Sequence, residues 1–122
     1  MERVEEFTLE GKNFVYLDIS GTKTNEDFTK MAEKFKPIIA KYPENTLYTI
    51  TNIDDVRFDS ETKVFLADFM EHNKPYVKYG SVIGFDGIKK ILANTICQMV
   101  GRTNMHFAFS REAAIEWLLR QE

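Results

Sequence analysis

Residues 14–39 read FVYLDISGTKTNEDFTKMAEKFKPII, and the spacing of apolar side chains changes within this stretch. The first part, Phe14 to Ile19, has alternating side chains, which is typical of a β-strand, and Ser20-Gly21 ends it. One side of this strand carries Val15, Leu17 and Ile19, and the other carries Phe14, Tyr16 and Asp18. An upstream segment, Val4 to Leu9, is predicted to pair with it as a hairpin across Glu10 to Asn13.

The second part of the stretch predicts a helix. Thr24 is the expected N-cap, and Asp27 three residues later gives a pattern similar to a capping box. Helical spacing then places five apolar residues on one face: Phe28, Met31, Ala32, Phe35 and Ile39. We expect Pro37 to kink or loosen the last turns.

The rest of the chain repeats this change of spacing three times. Further strands are predicted at Leu47 to Asn52, Gly80 to Gly84 and Met105 to Phe109. Further helices are predicted from Asp59-Ser60 to about His72, from the turn Gly84-Phe85-Asp86-Gly87 to Gly101, and from the cap Ser110 onward. Strands that alternate with helices favour a parallel sheet with right-handed crossovers. The sequence therefore predicts one α/β domain with four mainly parallel strands, an extra antiparallel strand in front and four helices.

Each later helix has a predicted buried face. The second helix is expected to bury Val64, Phe65, Leu66 and Phe69. The third is expected to bury Ile88, Ile91, Leu92, Thr95, Ile96 and Met99, and the last to bury Ala113, Ala114, Trp117 and Leu118. Cys97 falls opposite the third helix's stripe, where it is either an inert, half-exposed side chain or a reactive thiol near Lys90.

Composition and charge bear on the size of the core and on the class of partner. The 122 residues are 43% apolar, with ten Phe, five Tyr and one Trp, so the chain can bury one substantial core. Nineteen acidic and sixteen basic residues leave a charge of -3, which argues against a nucleic-acid partner. Between Asn73 and Met105, however, five basic residues and Asp86 alone sum to +4, which is either a solvated face or a docking patch for an acidic partner.

Location and chemistry are constrained by what the sequence lacks. The start, Met1 to Glu10, has no apolar signal-peptide centre, and no later apolar run is long enough to span a membrane, so a cytoplasmic location is expected. One Cys and two His, His72 at a helix end and His106 in a strand, are too few for a dedicated zinc site. No nucleophile, base and orienting group come together in the pattern, so neither a metal, a cofactor nor a catalytic residue is predicted.

Two helix starts are candidate binding positions. Ser60 lies where a phosphate would meet free amides and the positive end of a helix dipole, although a plain cap with Asp59 explains it equally well. The turn with Gly84, Asp86 and Gly87 is a candidate anion-binding site beside Lys89 and Lys90. It lacks the third Gly and the Lys-Ser/Thr pair of a phosphate loop, and a tight turn capped by Asp86 is the structural alternative.

The pattern resembles the STAS domain, and more closely the bacterial SpoIIAA-like proteins, over nearly the whole chain of residues 1–122. The segments that carry the resemblance are Phe14 to Ile19, the helix from Thr24, Val56-Arg57-Phe58-Asp59-Ser60, Val82-Ile83-Gly84 and Phe107 to Leu118. The resemblance implies a β-α superhelix with no enzyme activity, a shape shared with lipid-binding Sec14-like domains. It also implies that Ser60, with Asp59 and Phe58, is a phosphoacceptor or partner-binding position. The small residues and glycines expected next are replaced by Glu61-Thr62-Lys63, and Glu61 would repel a phosphate.

Two functions follow from these expectations. The first is a regulatory or protein-binding module, with signalling as one setting, that contacts its partner near residues 53–60. The alternative is a binder of a small lipophilic or acidic ligand, in a core cavity or on the second sheet face. That face is expected to carry Phe14, Tyr16, Leu47, Thr49, His106 and Ala108. Instead of a ligand, this face has three other candidate covers: the N-terminal segment, the last helix, or a second copy of the chain in a homodimer.

Overall fold

The structure, a computed structural model, describes residues 3–121. Its strands are β1 (Val4–Leu9), β2 (Lys12–Asp18), β3 (Leu47–Asn52), β4 (Val77–Ile83) and β5 (Met105–Phe107). Its helices are α1 (Asn25–Ala40), α2 (Ser60–Asn73), α3 (Gly87–Met99) and α4 (Arg111–Leu119). The strands form one sheet in sequential order, with β1 antiparallel to β2 and the other neighbours parallel. This arrangement confirms the predicted α/β fold with its antiparallel N-terminal strand.

A tight hairpin starts the sheet. Glu10 and Gly11, with φ of 50° and 77°, form the two-residue turn between β1 and β2. Positive φ at both central residues is the geometry whose twist matches a hairpin. The turn is shorter than the predicted Glu10 to Asn13, so β2 begins at Lys12. Phe7 and Phe14 stack across the pair with ring centroids 5.1 Å apart.

Helix α1 begins and ends close to its predicted bounds. Thr24 caps it, because its hydroxyl accepts from the backbone N–H of Asp27 at 3.1 Å. The predicted face packs on the sheet, with Phe28, Phe35 and Ile39 buried and Met31 and Ala32 packed against them. The helix continues past Pro37 to Ala40.

Helices cover both faces of the sheet. The larger core lies on one face, with side chains of α1, α2 and α3 among its members. On the other face, Ala114 and Leu118 of α4 pack against Phe14, Tyr48 and Ile50. The last helix is therefore what covers the second face.

The predicted facing of β3 is wrong. Phe14 pairs with Tyr48 and Tyr16 with Ile50, so Tyr48 and Ile50 share the second face. Leu47 belongs to the core on the other face, and Thr49 lines a cavity there. Residues 47–50 are all buried, so their hydrophobicity does not alternate and gives no signal of which face each side chain takes.

Helix α3 is turned relative to its predicted orientation. Ala93, Ile96 and Cys97 face the protein, with Cys97 only 3% exposed. Ile88 and Ile91, which were predicted to be buried, are 72% and 68% exposed. The helix has apolar residues on both sides, so helical periodicity alone allows two solutions. Thr95 and Met99 are also exposed, and Cys97 is not a surface thiol.

Helix α2 and two strands also differ in detail. Val64 was predicted to be buried but is 68% exposed. The buried face of α2 consists instead of Thr62, Leu66, Phe69 and Asn73. Thr62 is tolerated there since its hydroxyl is used in the cap of the helix, as described below. Strand β4 begins at Val77, three residues before the predicted Gly80. Strand β5 ends at Phe107, because the chain turns toward the next cap, Ser110, instead of pairing through Phe109.

Candidate interaction surface at the carboxyl edge of the sheet

The loops that follow β3 and β4 lie side by side at the carboxyl edge of the sheet. Such loops form the usual binding edge of a parallel α/β sheet. The backbone N–H of Ile53 donates to the carbonyl of Ile83 at 3.0 Å. Gly84 has a φ of 78°, and a Cβ there would press on the Asn52 side chain and lie 2.8 Å from the Asp54 nitrogen. Gly84 therefore serves the contact between the two loops.

A capping box starts α2. Asp59 Oδ1 accepts from the N–H groups of Glu61 and Thr62 at 3.0 and 2.9 Å, and Thr62 Oγ1 accepts from the Asp59 N–H at 2.8 Å. The hydrogen bond from the Thr62 backbone, the largest contribution, helps to hold the pKa of Asp59 below its ordinary value. Asp59 is thus the cap, and it already occupies amides that a phosphate would seek.

Ser60 is the first residue of α2 and is solvent-exposed. In the part of the chain from residue 3 to 121, its hydroxyl makes no side-chain hydrogen bond, so capping does not consume it. Carboxylates flank it on both sides, at Asp59 and Glu61. Ser60 and its sequence neighbour Asp59 both lie at the surface, and a phosphate on Ser60 would meet like charge. Their role as a phosphoacceptor or partner-binding site stays a prediction.

Arg57 links this helix start to α1. Its Nη2 donates to Asn25 Oδ1 at 3.2 Å, and Asn25 Nδ2 donates to Glu61 Oε2 at 2.9 Å. Arg57 Nε lies 2.9 Å from Asp59 Oδ2, an ion-pair distance without the alignment of a hydrogen bond. Arg57 therefore connects the start of α2 to the start of α1.

Phe58 and the Gly84 to Gly87 turn differ in what they present to solvent. Phe58 is half-buried, packs against the core and lines an internal cavity, so it contributes little to the surface. In the turn, Asp86 Oδ1 accepts from the Lys89 N–H at 2.8 Å. The carboxylate of Asp86 thus occupies a position that an anion would take at the start of α3, and anion binding at Gly84, Asp86 and Gly87 stays a prediction.

Exposed apolar side chains lie on α3 and in the connections after β4 and β5. We define the carboxyl-edge patch as the ring pair Phe85 and Phe109 together with the exposed α3 side chains Ile88 and Ile91. Phe109 is 92% exposed, and its ring centroid lies 5.7 Å from that of Phe85. Lys90 Nζ lies 5.8 Å from the Phe85 centroid, so a cation borders the patch. The sequence analysis did not predict this surface. A sign of it was present in the sequence, because α3 has more apolar residues than one buried helix face can hold.

The two histidines lie apart. His72 Nδ1 is 2.9 Å from Asn73 Oδ1 in the last turn of α2. His106 stacks on Trp117 of α4. Within residues 3–121, no group of three or more His, Cys, Asp or Glu side chains is arranged to hold a metal ion. The helices described in this range include none with the length and apolar character needed to cross a membrane.

Sequential strands, one antiparallel edge strand and helices on both faces define the fold class. A solved structure described as an anti-sigma-factor antagonist (STAS) domain protein from Planctomyces limnophilus shares this fold, with a TM-score of 0.59. The match covers 94% of this chain and 97% of that chain at 8% sequence identity, so it shows the fold. It confirms the STAS-type fold that the sequence resemblance implied. No protein-family model and no curated protein sequence matches the chain.

Proposed function

We propose that this protein is a non-catalytic regulatory module that binds a protein partner through the carboxyl-edge patch. The observation that carries the proposal is the exposure of Phe109, Ile88 and Ile91 beside two packed loops. Fully burying an aromatic or aliphatic side chain of this size contributes about 1.5–3 kcal/mol. Two or three such anchors are enough to form the centre of a protein interface.

The charge around the patch favours an acidic partner. Of the lysines between Asn73 and Met105, Lys89 and Lys90 lie on α3, and Lys90 borders the aromatic rings. The exposed Asp86 at the start of the same helix offsets one of these two charges, which leaves a net positive charge there. Lys89 extends this charge toward residues 53–59. The Lys23 ammonium and, to a smaller extent, Lys89 hold the pKa of Asp55 below its ordinary value. The proposed partner therefore presents apolar side chains flanked by Asp or Glu.

Ser60 is the proposed regulatory position of the same surface. The neighbouring structure is described as an anti-sigma-factor antagonist domain protein, and Ser60 is exposed with an unused hydroxyl. A phosphate there would compete with Asp59 for Arg57 and repel Glu61. We propose that this rearrangement at the edge weakens partner binding. The cytoplasmic location expected from the sequence pattern and the bacterial origin implied by the resemblance belong to this proposal.

Affinity capture with matched variants tests the proposed function. The bait is the full chain, the source is a lysate of the host cells, and bound proteins are quantified by mass spectrometry. Phe109→Ser with Ile91→Ser should remove the specific partner, because each change takes away an exposed apolar anchor. Val64→Ser is the matched control, since Val64 is equally exposed on α2, outside the patch. Equal loss with both variants, or equal retention, would overturn the assigned surface.

The regulatory position has its own comparison. Ser60→Glu should reduce the captured partner about tenfold or more, because it adds charge beside Glu61 and Arg57. Ser60→Ala should bind as the unmodified protein does. If Ser60→Glu retains the partner fully, Ser60 is not the switch. Light scattering at several concentrations would reveal a second copy as the occupant of the patch, a result that counts against a separate partner.

A further inference from the structure

A cavity lies inside the protein, separate from the carboxyl-edge patch. Its volume is about 70 Å³, it lies between the sheet and helices α2 and α3, and it is not fully closed to solvent. Most of its wall is apolar, and includes Leu17, Ile53, Leu66, Phe69, Val82 and Ile96. A space of this size exceeds what one water molecule needs. Apolar walls alone would favour a dry cavity or a small hydrocarbon.

One charged side chain also lines the cavity. Arg102 is only 6% exposed. Its Nε donates to Asn104 Oδ1 at 3.0 Å, its Nη1 to the Met70 carbonyl at 3.3 Å, and its Nη2 contacts Met105 Sδ at 2.9 Å. A guanidinium carries five N–H donors, and a thioether is a weak acceptor. Part of its donor capacity is therefore unused.

Arg102 also lacks a counter-ion. Among residues 3–121, no carboxylate oxygen lies within 4.0 Å of its guanidinium. The nearby thiol of Cys97 does not supply the charge, because burial raises the pKa of Cys97. A buried cation with no anion is costly, by several kcal/mol, because its lost hydration is not replaced. An anionic group in the cavity would remove this cost.

The wall near Arg102 includes a glycine that is closely packed. Gly80 lies beside Met105, whose sulfur contacts Arg102. A Cβ at Gly80 would lie 2.7 Å from Met105 Sδ and 2.8 Å from Thr49 Oγ1. Glycine at this position therefore leaves the room that Met105 and Thr49 occupy on the cavity wall.

We propose that the cavity binds a small lipophilic monocarboxylic acid, with its carboxylate on Arg102 and its hydrocarbon chain against the apolar wall. A guanidinium pairs a carboxylate through two parallel hydrogen bonds. One buried cation balances one negative charge, which disfavours a phosphate monoester with its second charge. This site is independent of the partner-binding surface.

Methyl NMR of the purified full chain, titrated with hexanoate and in parallel with hexan-1-ol, tests the proposal. Hexanoate should shift methyl signals of Leu17, Val82 and Ile96, which line the cavity. It should bind at least about tenfold more tightly than the alcohol, because the difference is a charge-assisted hydrogen-bonded pair. Equal affinities, shifts confined to other residues or no binding of either compound would each overturn the proposal.

Variants distinguish the contribution of the Arg102 charge from that of the cavity volume. Arg102→Met should abolish the preference for hexanoate over hexanol, whereas Arg120→Met, which removes an exposed arginine, should preserve it. Ala93→Leu should exclude both compounds, because Ala93 lines the cavity. If Arg102→Met does not fold, the acid and alcohol titrations of the native chain and of Ala93→Leu decide the question. Phe109→Ser with Ile91→Ser should keep hexanoate binding, so failure of the surface proposal leaves this one standing.

Discussion

The imidazole of His106 lies parallel to the indole of Trp117, with ring centroids 4.2 Å apart and planes 3° apart. Trp117 also meets Tyr79 edge to face, at 5.9 Å and 81°. These contacts join α4 to two strands on the second face of the sheet. Aromatic pairs of this kind stabilise beyond their buried area by about 0.5–1.5 kcal/mol.

Stability should fall as the pH drops below neutrality because of this stack. Burial, and secondarily Lys90, lowers the pKa of His106. The unfolded chain, with a His pKa of about 6.5, then binds a proton before the folded one does. The contribution is present above the unfolded pKa and is lost as pH falls through the folded pKa. Urea unfolding midpoints measured between pH 5 and 7.5 check this expectation.

His106→Phe isolates the effect, since Phe keeps an aromatic ring but cannot take up a proton. We expect its unfolding free energy to depend less on pH over the same window. Tyr79→Phe is the control and should keep the original slope, because it retains an aromatic ring against Trp117 and leaves His106 in place. The lowered pKa values of Glu5, Glu6, Asp55 and Asp59 act at more acidic pH. Equal slopes for His106→Phe and the native chain would contradict the assignment.

Shortening a fully buried side chain of α4 should lower the stability of the protein. Leu118 is fully buried between α4 and the sheet, so Leu118→Ala leaves a cavity. We expect the free energy of unfolding to fall by about 2–5 kcal/mol. Leu9→Ala, at an exposed strand end, should cost less than about 1 kcal/mol. Urea denaturation compares the two, and a similar loss at both positions would mean that α4 does not cover the second face.

Gly84 and Gly87 form a second matched pair. Gly84→Ala forces a side chain onto a backbone with a φ of 78° and against Asn52 and Asp54, so we expect a loss of about 1–3 kcal/mol. Gly87→Ala adds a methyl group to the first turn of α3, where nothing lies within 4 Å. It should be neutral or stabilise by up to about 1 kcal/mol. Thermal unfolding of both variants is the measurement, and a neutral Gly84→Ala would contradict the described loop packing.

Most of the fold was predictable because two different apolar periods alternate along the chain. Period two identified β2, and β3 has its predicted bounds. Thr24, Asp59 and Ser110 marked helix starts by their side-chain acceptors. Facing was harder to predict. The central strand β3 is buried on both sides, and α3 is apolar on both sides, so neither pattern specifies an orientation.

The candidate sites were only partly predictable for a related reason. Ser60 and Asp59 follow from local capping chemistry, which depends on neighbours in sequence. The carboxyl-edge patch and the cavity depend on long-range packing. Phe85 and Phe109 are far apart in sequence, and Arg102 has the composition of a surface charge but lies inside. No spacing rule brings such residues together without the sheet order.

Substitution by alanine should affect stability at Asp59 but not at Ser60. Asp59→Ala removes acceptors for two backbone N–H groups and the Arg57 ion pair, so it should lower the urea midpoint of unfolding. Ser60→Ala removes a hydroxyl that makes no side-chain hydrogen bond among residues 3–121, and should change stability by less than about 0.5 kcal/mol. Urea denaturation distinguishes the two. A destabilising Ser60→Ala would mean that Ser60 has a structural role, and any loss of partner binding in Ser60 variants would then have to be interpreted through folding.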